Sequence, residues 1–119
     1  SAPLTIKIRR ANMINAVFYS KEGYIVGVVV YGHSNYAEKG YDIVCAAVSA
    51  LTQGIVGAIR DNIGCKARCK IDDGYLSYAL NQHNADASLL LGTLKYSLDK
   101  VQEQYSEYVS VREGEADDN

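Results

Sequence analysis

The sequence predicts an α+β domain, a two-layer sandwich in which a strand–strand–helix unit occurs twice and a short final strand follows. Two observations favour this fold class. Short segments rich in β-branched and aromatic residues occur in pairs around turn sequences, and each pair precedes a longer segment with apolar residues at helical spacing. The length of 119 residues fits one compact domain that buries a core without cross-links. The strand order does not follow from these patterns.

The first unit begins with two predicted strands, residues 14–19 and 24–31, on either side of the turn-like segment SKEG. A predicted helix over residues 42–63 follows. Its broad apolar face indicates a central helix that packs on the sheet. The face consists of Val44, Val48, Leu51, Ile55 and Ile59, widened by Ile43, Ala47 and Ala58.

The second unit has the same plan. Predicted strands at residues 66–71 and 75–80 flank the sequence DDG, which is a strong hairpin-turn signal. A second amphipathic helix is predicted over residues 86–106, with Leu90, Leu94, Leu98, Val101 and Tyr105 on one face. The sequence YVSV at residues 108–111 predicts a short last strand at the edge of the sheet.

The domain is therefore assigned to residues 13–112. The last seven residues, 113–119, are acidic and nearly without apolar content, which predicts a disordered tail. Two interpretations of residues 1–12 stay open. Met13 is the only methionine and would be the natural start if residues 1–12 were an expression remnant, whereas the alternating sequence LTIKI favours an N-terminal extension with a genuine first strand.

The composition limits the class of protein. Apolar residues make up 48% and charged residues 22%, with a net charge of −2, so no electrostatic signature of a nucleic-acid or membrane partner is present. The odd number of cysteines, three, argues for a reducing compartment. No signal-peptide pattern occurs, and Gly, Thr or charged residues interrupt the apolar stretches short of a membrane span. These patterns predict a cytoplasmic domain without a cofactor.

The segment GHSNYAEKGYDIVCAAVSALTQG, residues 32–54, carries the candidate chemistry. Asp42 is a favoured N-cap residue, which places Cys45 in the first turn of the predicted helix. The positive end of the helix dipole favours the thiolate form of a cysteine there, and thiolate is the nucleophile. The free N–H groups of the same turn are expected to hold the oxyanion of a tetrahedral intermediate.

His33 ends the second predicted strand, where Gly32 permits a sharp exit. A cysteine and a histidine within hydrogen-bonding reach suffice for acyl transfer, with the imidazole as base and then as acid. The polar loop 34–41 between them contains Gly40 as a possible hinge, so it is interpreted as a mobile lid. On the residues alone the alternative stays open that Cys45 is an inert core thiol, which is the commoner state of a free cysteine.

The remaining candidates give weaker signals. Cys65 and Cys69 are expected to point to one face of a strand as two incidental thiols, because a metal site would need further ligands. Lys66, Arg68 and Lys70 on the opposite face are interpreted as solvated. His83 is interpreted as a surface residue, and no metal site is predicted.

The segment at residues 32–54 resembles the signature of the Prp family, the ribosomal-processing cysteine proteases of bacteria. In that family a Gly-His pair and a short variable loop precede the sequence G-x-D-I-V-C-A-A-V-S. The resemblance spans roughly residues 13–112, including a second long helix that ends near a QYxEYV segment. The matching signature positions are Gly32, His33, Gly40, Asp42, Ile43, Val44, Cys45, Ala46, Ala47, Val48 and Ser49.

The resemblance implies a Cys–His dyad in which Cys45 is the nucleophile and His33 the general base. Asp42 and Ser49 are also family positions. We assign Asp42 to capping the helix, because its proximity in sequence to Cys45 does not suit it to orienting His33. Ser49 lies one helical turn after Cys45, on the same face, and is interpreted as support for the thiol or the loop. Gly32 and Gly40 are taken as supporting backbone positions.

The resemblance also implies a substrate. Family members remove an N-terminal extension from a large-subunit ribosomal protein, protein twenty-seven, by cutting after a Phe-Phe pair, and they commonly form homodimers. Tyr36 and Tyr41 are therefore candidates for contact with an aromatic-rich peptide, which is expected to lie along a sheet edge. Two alternatives from other classes are a redox-sensing thiol protein and a non-enzymatic ribosome-assembly factor.

Two departures from the family pattern are visible. Many members have Ala where this chain has Ser34, and Pro where it has Ser106. Neither serine is expected to touch a proposed catalytic atom.

Overall fold

A computed structural model describes residues 13–115 of the chain. It confirms the predicted α+β class, with a five-stranded sheet and two helices. The interpretations of residues 1–12 lie outside the described residues. The elements in chain order are β1 (Ile14–Lys21), β2 (Tyr24–Tyr31), α1 (Ile43–Ala58), β3 (Ala67–Asp72), β4 (Tyr75–Leu80), α2 (Ala85–Gln104) and β5 (Val109–Glu115).

The strand order in the sheet is β3-β4-β2-β1-β5. The β1–β2, β2–β4 and β3–β4 pairs are antiparallel, whereas β5 runs parallel to β1. Tyr31 at the end of β2 is opposite Tyr75 at the start of β4. This register places the exit of β2 beside the β3–β4 turn, which matters for the site described below.

Both helices contribute to one core with the sheet. The predicted apolar faces are confirmed in outline, although individual residues differ. Leu91, which lies outside the predicted face of α2, is fully buried, whereas Ile43, which belongs to the predicted face of α1, is 55% exposed. Apolar character alone does not decide which side of a helix meets the sheet. The core includes Ala16, Phe18 and Val28 of the sheet, Val44, Val48 and Val56 of α1, and Leu91, Leu94 and Leu98 of α2.

The first helix is more apolar than α2. It continues as a π-helical turn over Ile59–Ile63, so the helical run ends where the sequence predicted. This run of 21 residues contains an 18-residue stretch with a mean hydropathy of 1.6, which by length and composition alone would allow a membrane span. The expectation that every apolar stretch falls short of that length was therefore wrong. The run packs through Val44, Val48, Thr52 and Val56, and a helix packed on a sheet in a water-soluble domain shares these features.

The last strand is longer than predicted. β5 reaches Glu115 and so includes Glu113 and Gly114, which were assigned to a disordered tail. Parallel pairing with β1 as far as Ser20 explains the difference, because backbone hydrogen bonds do not require apolar side chains. The rest of the predicted tail, residues 116–119, lies outside the described residues.

Candidate active site

The first turn of α1 is organised by its N-cap, as predicted. Asp42 has an extended backbone, and its Oδ1 accepts hydrogen bonds from the N–H groups of Val44 and Cys45, each at 3.0 Å. The Ala46 N–H bonds to the Asp42 carbonyl oxygen at 3.1 Å. The expectation that the N–H groups of this turn are free for an oxyanion is therefore wrong for these three residues, because the cap occupies them.

The same carboxylate also binds the loop that precedes the helix. Asp42 Oδ2 accepts from the Ser34 hydroxyl, from the Tyr36 N–H at 3.1 Å and from the Ala37 N–H at 3.5 Å. Partial burial raises the pKa of Asp42, but the hydrogen bonds from Ser34, Cys45, Ala37 and Tyr36 outweigh it and hold the pKa below its ordinary value. One ionised side chain thus joins the first half of loop 34–41 to the start of α1.

Ser34 lies between this carboxylate and the candidate nucleophile. It is fully buried, and its Oγ is 3.4 Å from the Cys45 sulfur. The Tyr36 N–H also donates to Ser34 Oγ, at 3.3 Å. The expectation that Ser34 touches no catalytic atom was therefore wrong. A serine in a polar loop carries no periodicity that predicts burial, so no local pattern of residues predicts this contact.

His33 projects from the sharp exit of β2. Gly32 has a φ of +97°, and its N–H donates to the Gly74 carbonyl in the β3–β4 turn at 2.9 Å. A Cβ on residue 32 would lie 2.3 Å from the Met13 carbonyl oxygen, so only glycine fits. The exposed His33 ring then lies against Gly74. No hydrogen bond joins the His33 ring to the Cys45 thiol in this state.

Cys45 and His33 line one open cavity of about 650 Å³. One wall consists of the loop residues Ala37, Lys39 and Gly40, and the other of the β3–β4 hairpin, from Ile71 through Asp72, Asp73 and Gly74. The site therefore combines a half-buried thiol and an exposed imidazole in an open groove between loop 34–41 and the β3–β4 hairpin. Further apolar residues of the lining are Ile14, Val30, Val48 and Leu76.

The sequence model of the family described as "Cysteine protease Prp" matches residues 13–110, most of the chain. The chain belongs to this family. It is 33% identical over 91 residues to the ribosomal processing cysteine protease Prp of Staphylococcus aureus, an alignment that covers 74% of this chain and 86% of the relative.

Solved structures of Prp agree with this assignment. A crystal structure of the S. aureus ribosomal processing protease Prp with a covalently linked product peptide superimposes with a TM-score of 0.81 at 30% identity, covering 86% of this chain and all of that one. A second S. aureus Prp structure, with a substrate peptide, gives a TM-score of 0.76 over the same shares. The protein is thus a cysteine protease by family. Of its three cysteines, Cys45 alone lines the cavity.

The other predicted site residues divide into two groups. Ser49 and Gly40 line the same cavity as Cys45 and His33, and Ser49 is exposed one turn beyond Cys45. Tyr36 and Tyr41 do not line it. The Tyr36 ring packs edge-on against Tyr105 and Tyr108, with centroid distances of 5.5 and 5.1 Å, and Tyr41 is 77% exposed.

The remaining candidates lie away from this site. Cys65 is buried before β3 begins and Cys69 is exposed on β3, so the two thiols do not form the expected same-face pair on a strand. His83 is exposed, and its ring packs edge-on against Tyr24. Within residues 13–115, no group of three or more His, Cys, Asp or Glu side chains is arranged to hold a metal ion.

Proposed function

We propose that this chain is a cysteine endopeptidase that removes the N-terminal extension of a large-subunit ribosomal protein, protein twenty-seven, by cutting after an aromatic-rich motif during ribosome maturation. Family membership supports the protease chemistry. The S. aureus relative is described as a ribosomal processing protease, with a covalently linked product peptide in one structure. The observation that carries the proposal is the half-buried thiol of Cys45, which opens onto a groove shared with His33.

Cys45 is the nucleophile and His33 the general base in this proposal. His33 takes the thiol proton, the sulfur attacks the peptide carbonyl carbon, and the imidazolium returns the proton to the leaving amine. Water then hydrolyses the thioester and regenerates the thiol. Since no hydrogen bond joins the two side chains here, the productive contact forms when peptide fills the groove, as is common for catalytic pairs.

The peptide lies between loop 34–41 and the β3–β4 hairpin. β3 is an edge strand, so its outer backbone groups are available to an extended chain. Ile71 on this strand is 67% exposed and also lines the groove, which makes it the best-placed apolar contact for an aromatic substrate side chain. Contact with Tyr36 or Tyr41 would require the peptide to continue past the groove over the outer side of the loop.

We also propose that the enzyme acts in the cytoplasm as a homodimer, without cofactor, nucleic-acid or membrane partners. The net charge of −2 supports the absence of a nucleic-acid role. The family resemblance supports the dimer.

The test is to incubate the purified protein with a synthetic peptide that carries the ribosomal extension, with and without iodoacetamide pretreatment, and to identify products by mass spectrometry. We expect cleavage after the aromatic motif and its loss after alkylation. A Cys69→Ala variant is the matched control, because it removes an exposed thiol outside the groove. Reversible oxidation of Cys45 without cleavage would favour a redox sensor, and a Cys45 that resists alkylation in the folded protein would favour an assembly factor.

A further inference from the structure

We propose that Ser34 is a positioning residue that holds Cys45 in its protonated thiol form, with the S–H bond directed at Ser34 Oγ, until the general base takes the proton. The proposal deepens the proposed function and relies on it only for the identity of that base. The contacts of Ser34 itself do not depend on the substrate.

The hydrogen-bond inventory of Ser34 fixes the direction of the Ser34–Cys45 contact. A serine hydroxyl has one hydrogen and two lone pairs. The hydrogen is donated to Asp42 Oδ2, which as an ionised carboxylate oxygen can only accept. The Tyr36 N–H, at 3.3 Å, occupies one lone pair of Ser34 Oγ. The 3.4 Å contact with the Cys45 sulfur therefore has the thiol as donor and Ser34 as acceptor.

The burial of Ser34 prevents its hydroxyl from reorienting to donate to a thiolate at Cys45. Its side chain is fully buried, so the hydroxyl has no solvent partner to which it can turn its hydrogen. A thiolate at Cys45 would face a serine lone pair, with the Asp42 carboxylate directly behind it. Charge-assisted hydrogen bonds are stronger than neutral ones, so the Asp42 partner retains the hydroxyl hydrogen. Ser34 thus opposes the helix dipole, which by itself favours the thiolate.

Other ionisable groups line the same cavity as the thiol. They belong to the end of β2, loop 34–41, the N-cap of α1 and the β3–β4 hairpin. A substitution at Ser34 keeps these residues, but Ser34→Ala also removes the hydrogen bond that the Asp42 carboxylate receives from the hydroxyl, whereas Ser34→Thr retains a hydroxyl to donate it. These groups are His33, Lys39, Asp42, Asp72, Asp73 and Tyr75.

Proton transfer from Cys45 to His33 competes with the hydrogen bond from Cys45 to Ser34. For His33 to take the proton, the S–H bond must turn away from Ser34 and lose its acceptor. Removal of the acceptor should favour ionisation of Cys45 at lower pH, and it should also remove the fixed orientation of the thiol. The loop contacts of Asp42 with Tyr36 and Ala37 do not depend on the Ser34 oxygen.

The experiment measures the rate of iodoacetamide alkylation of Cys45 against pH, quantified on the Cys45-containing peptide by mass spectrometry. In Ser34→Ala we expect the midpoint of the profile to move about half a unit to lower pH, because a weak hydrogen bond to the thiol form is lost. Well below the midpoint, the rate should rise about threefold in consequence. Cys69 in the same chain is an internal reference whose profile should not change, and Ser97→Ala on α2 is the matched serine control.

Ser34→Thr separates the role of the oxygen from that of packing. Threonine keeps the hydroxyl and adds a methyl group, so its midpoint should stay at the wild-type value although it disturbs the buried site more. Thermal unfolding of each variant verifies that it is folded. An unchanged or raised midpoint in Ser34→Ala overturns the proposal, as does an equal shift in Ser34→Thr. Because alkylation needs no substrate, a failure of peptide cleavage in the wild-type protein would count against the proposed function and not against this role.

Discussion

The ring of His33 packs against Gly74, in the space that a side chain at residue 74 would occupy. A Cβ added to residue 74 would lie 2.6 Å from His33 Nε2 and 2.9 Å from Cε1, closer than real Cβ contacts allow. The relationship follows from the antiparallel pairing of β2 with β4, which brings the exit of β2 to the β3–β4 turn. The glycine of the DDG turn, identified in the sequence only as a hairpin signal, therefore also makes space for the imidazole.

Gly74→Ala should displace the His33 ring and so reduce kcat for peptide cleavage. A general base contributes roughly 10²–10⁴-fold to a rate, and partial displacement should remove about tenfold or more of it. The measurement is steady-state cleavage of the extension peptide. Gly74 has a φ of +65°, so an alanine there also introduces backbone strain.

Gly23→Ala is the control for that strain. Gly23 occupies the β1–β2 turn with a φ of +84°, and a Cβ there would meet nothing within 4 Å. Both variants should lose about 1 kcal/mol in their free energy of unfolding, but only Gly74→Ala should lose activity. Equal activity in the two variants would show that the His33 position against Gly74 has no part in catalysis.

Cys45→Ala should abolish peptide cleavage and leave the fold intact, because the thiol is half-buried at the groove and its side-chain hydrogen bond is with Ser34. His33→Ala should reduce cleavage by roughly 10²–10⁴-fold, as expected for the loss of a general base. Product formation measures the cleavage activity of each variant, and circular dichroism verifies that the variant is folded. Wild-type turnover in Cys45→Ala would exclude Cys45 as the nucleophile. An unaltered pH–rate profile in His33→Ala would exclude His33 as the general base.

Asp42→Ala should destabilise the protein in a pH-dependent way. The folded-state pKa of Asp42 is depressed, so its stabilising effect is present above the unfolded-state pKa and is lost as the pH falls through the folded-state pKa. At neutral pH we expect a loss of about 1–2 kcal/mol in the free energy of unfolding, typical of a lost N-cap. The difference in free energy of unfolding between Asp42→Ala and wild type should narrow in acid, as the pH falls through the folded-state pKa of Asp42 and the wild-type carboxylate protonates.

Urea unfolding at neutral pH and in acid measures this difference. Asp61→Ala is the control, because Asp61 is also an ionised carboxylate in a hydrogen-bonded pair, with Arg60, but both partners are exposed. Exposed ion pairs contribute little, so this variant should change little at either pH. If the difference in free energy of unfolding between Asp42→Ala and wild type is as large in acid as at neutral pH, the charge of Asp42 is not what stabilises the cap.

The sequence predicted those parts of the site that depend on local signals. The Asp42 cap and the first-turn position of Cys45 follow from residue types within one helical turn, and both are confirmed. The exit of β2 at Gly32 is likewise local, since the strand signal ends at the Gly-His pair.

The parts that sequence reasoning missed depend on which strands are neighbours. The contact of His33 with Gly74 requires β2 to pair with β4, and neither hydrophobic periodicity nor turn chemistry specifies that order. The Ser34–Cys45 contact depends on the path of a loop that is folded back by Asp42. The assignment of residues 113–115 to a disordered tail was wrong for a related reason, because β5 continues through these polar residues by pairing with β1.

Ile71→Ser should raise KM for the extension peptide and leave kcat nearly unchanged, because Ile71 lines the groove and has no acid, base or nucleophilic group. Removal of one apolar contact of this size is worth about 1–3 kcal/mol, or roughly five- to 150-fold in binding. Leu89→Ser is the matched control, since Leu89 is an aliphatic residue on α2 that is 70% exposed, compared with 67% for Ile71, and does not line the groove. For a peptide in which alanine replaces the aromatic pair, the KM of Ile71→Ser should differ much less from the wild-type KM. If KM rises equally for both peptides, Ile71 does not contact the aromatic side chains.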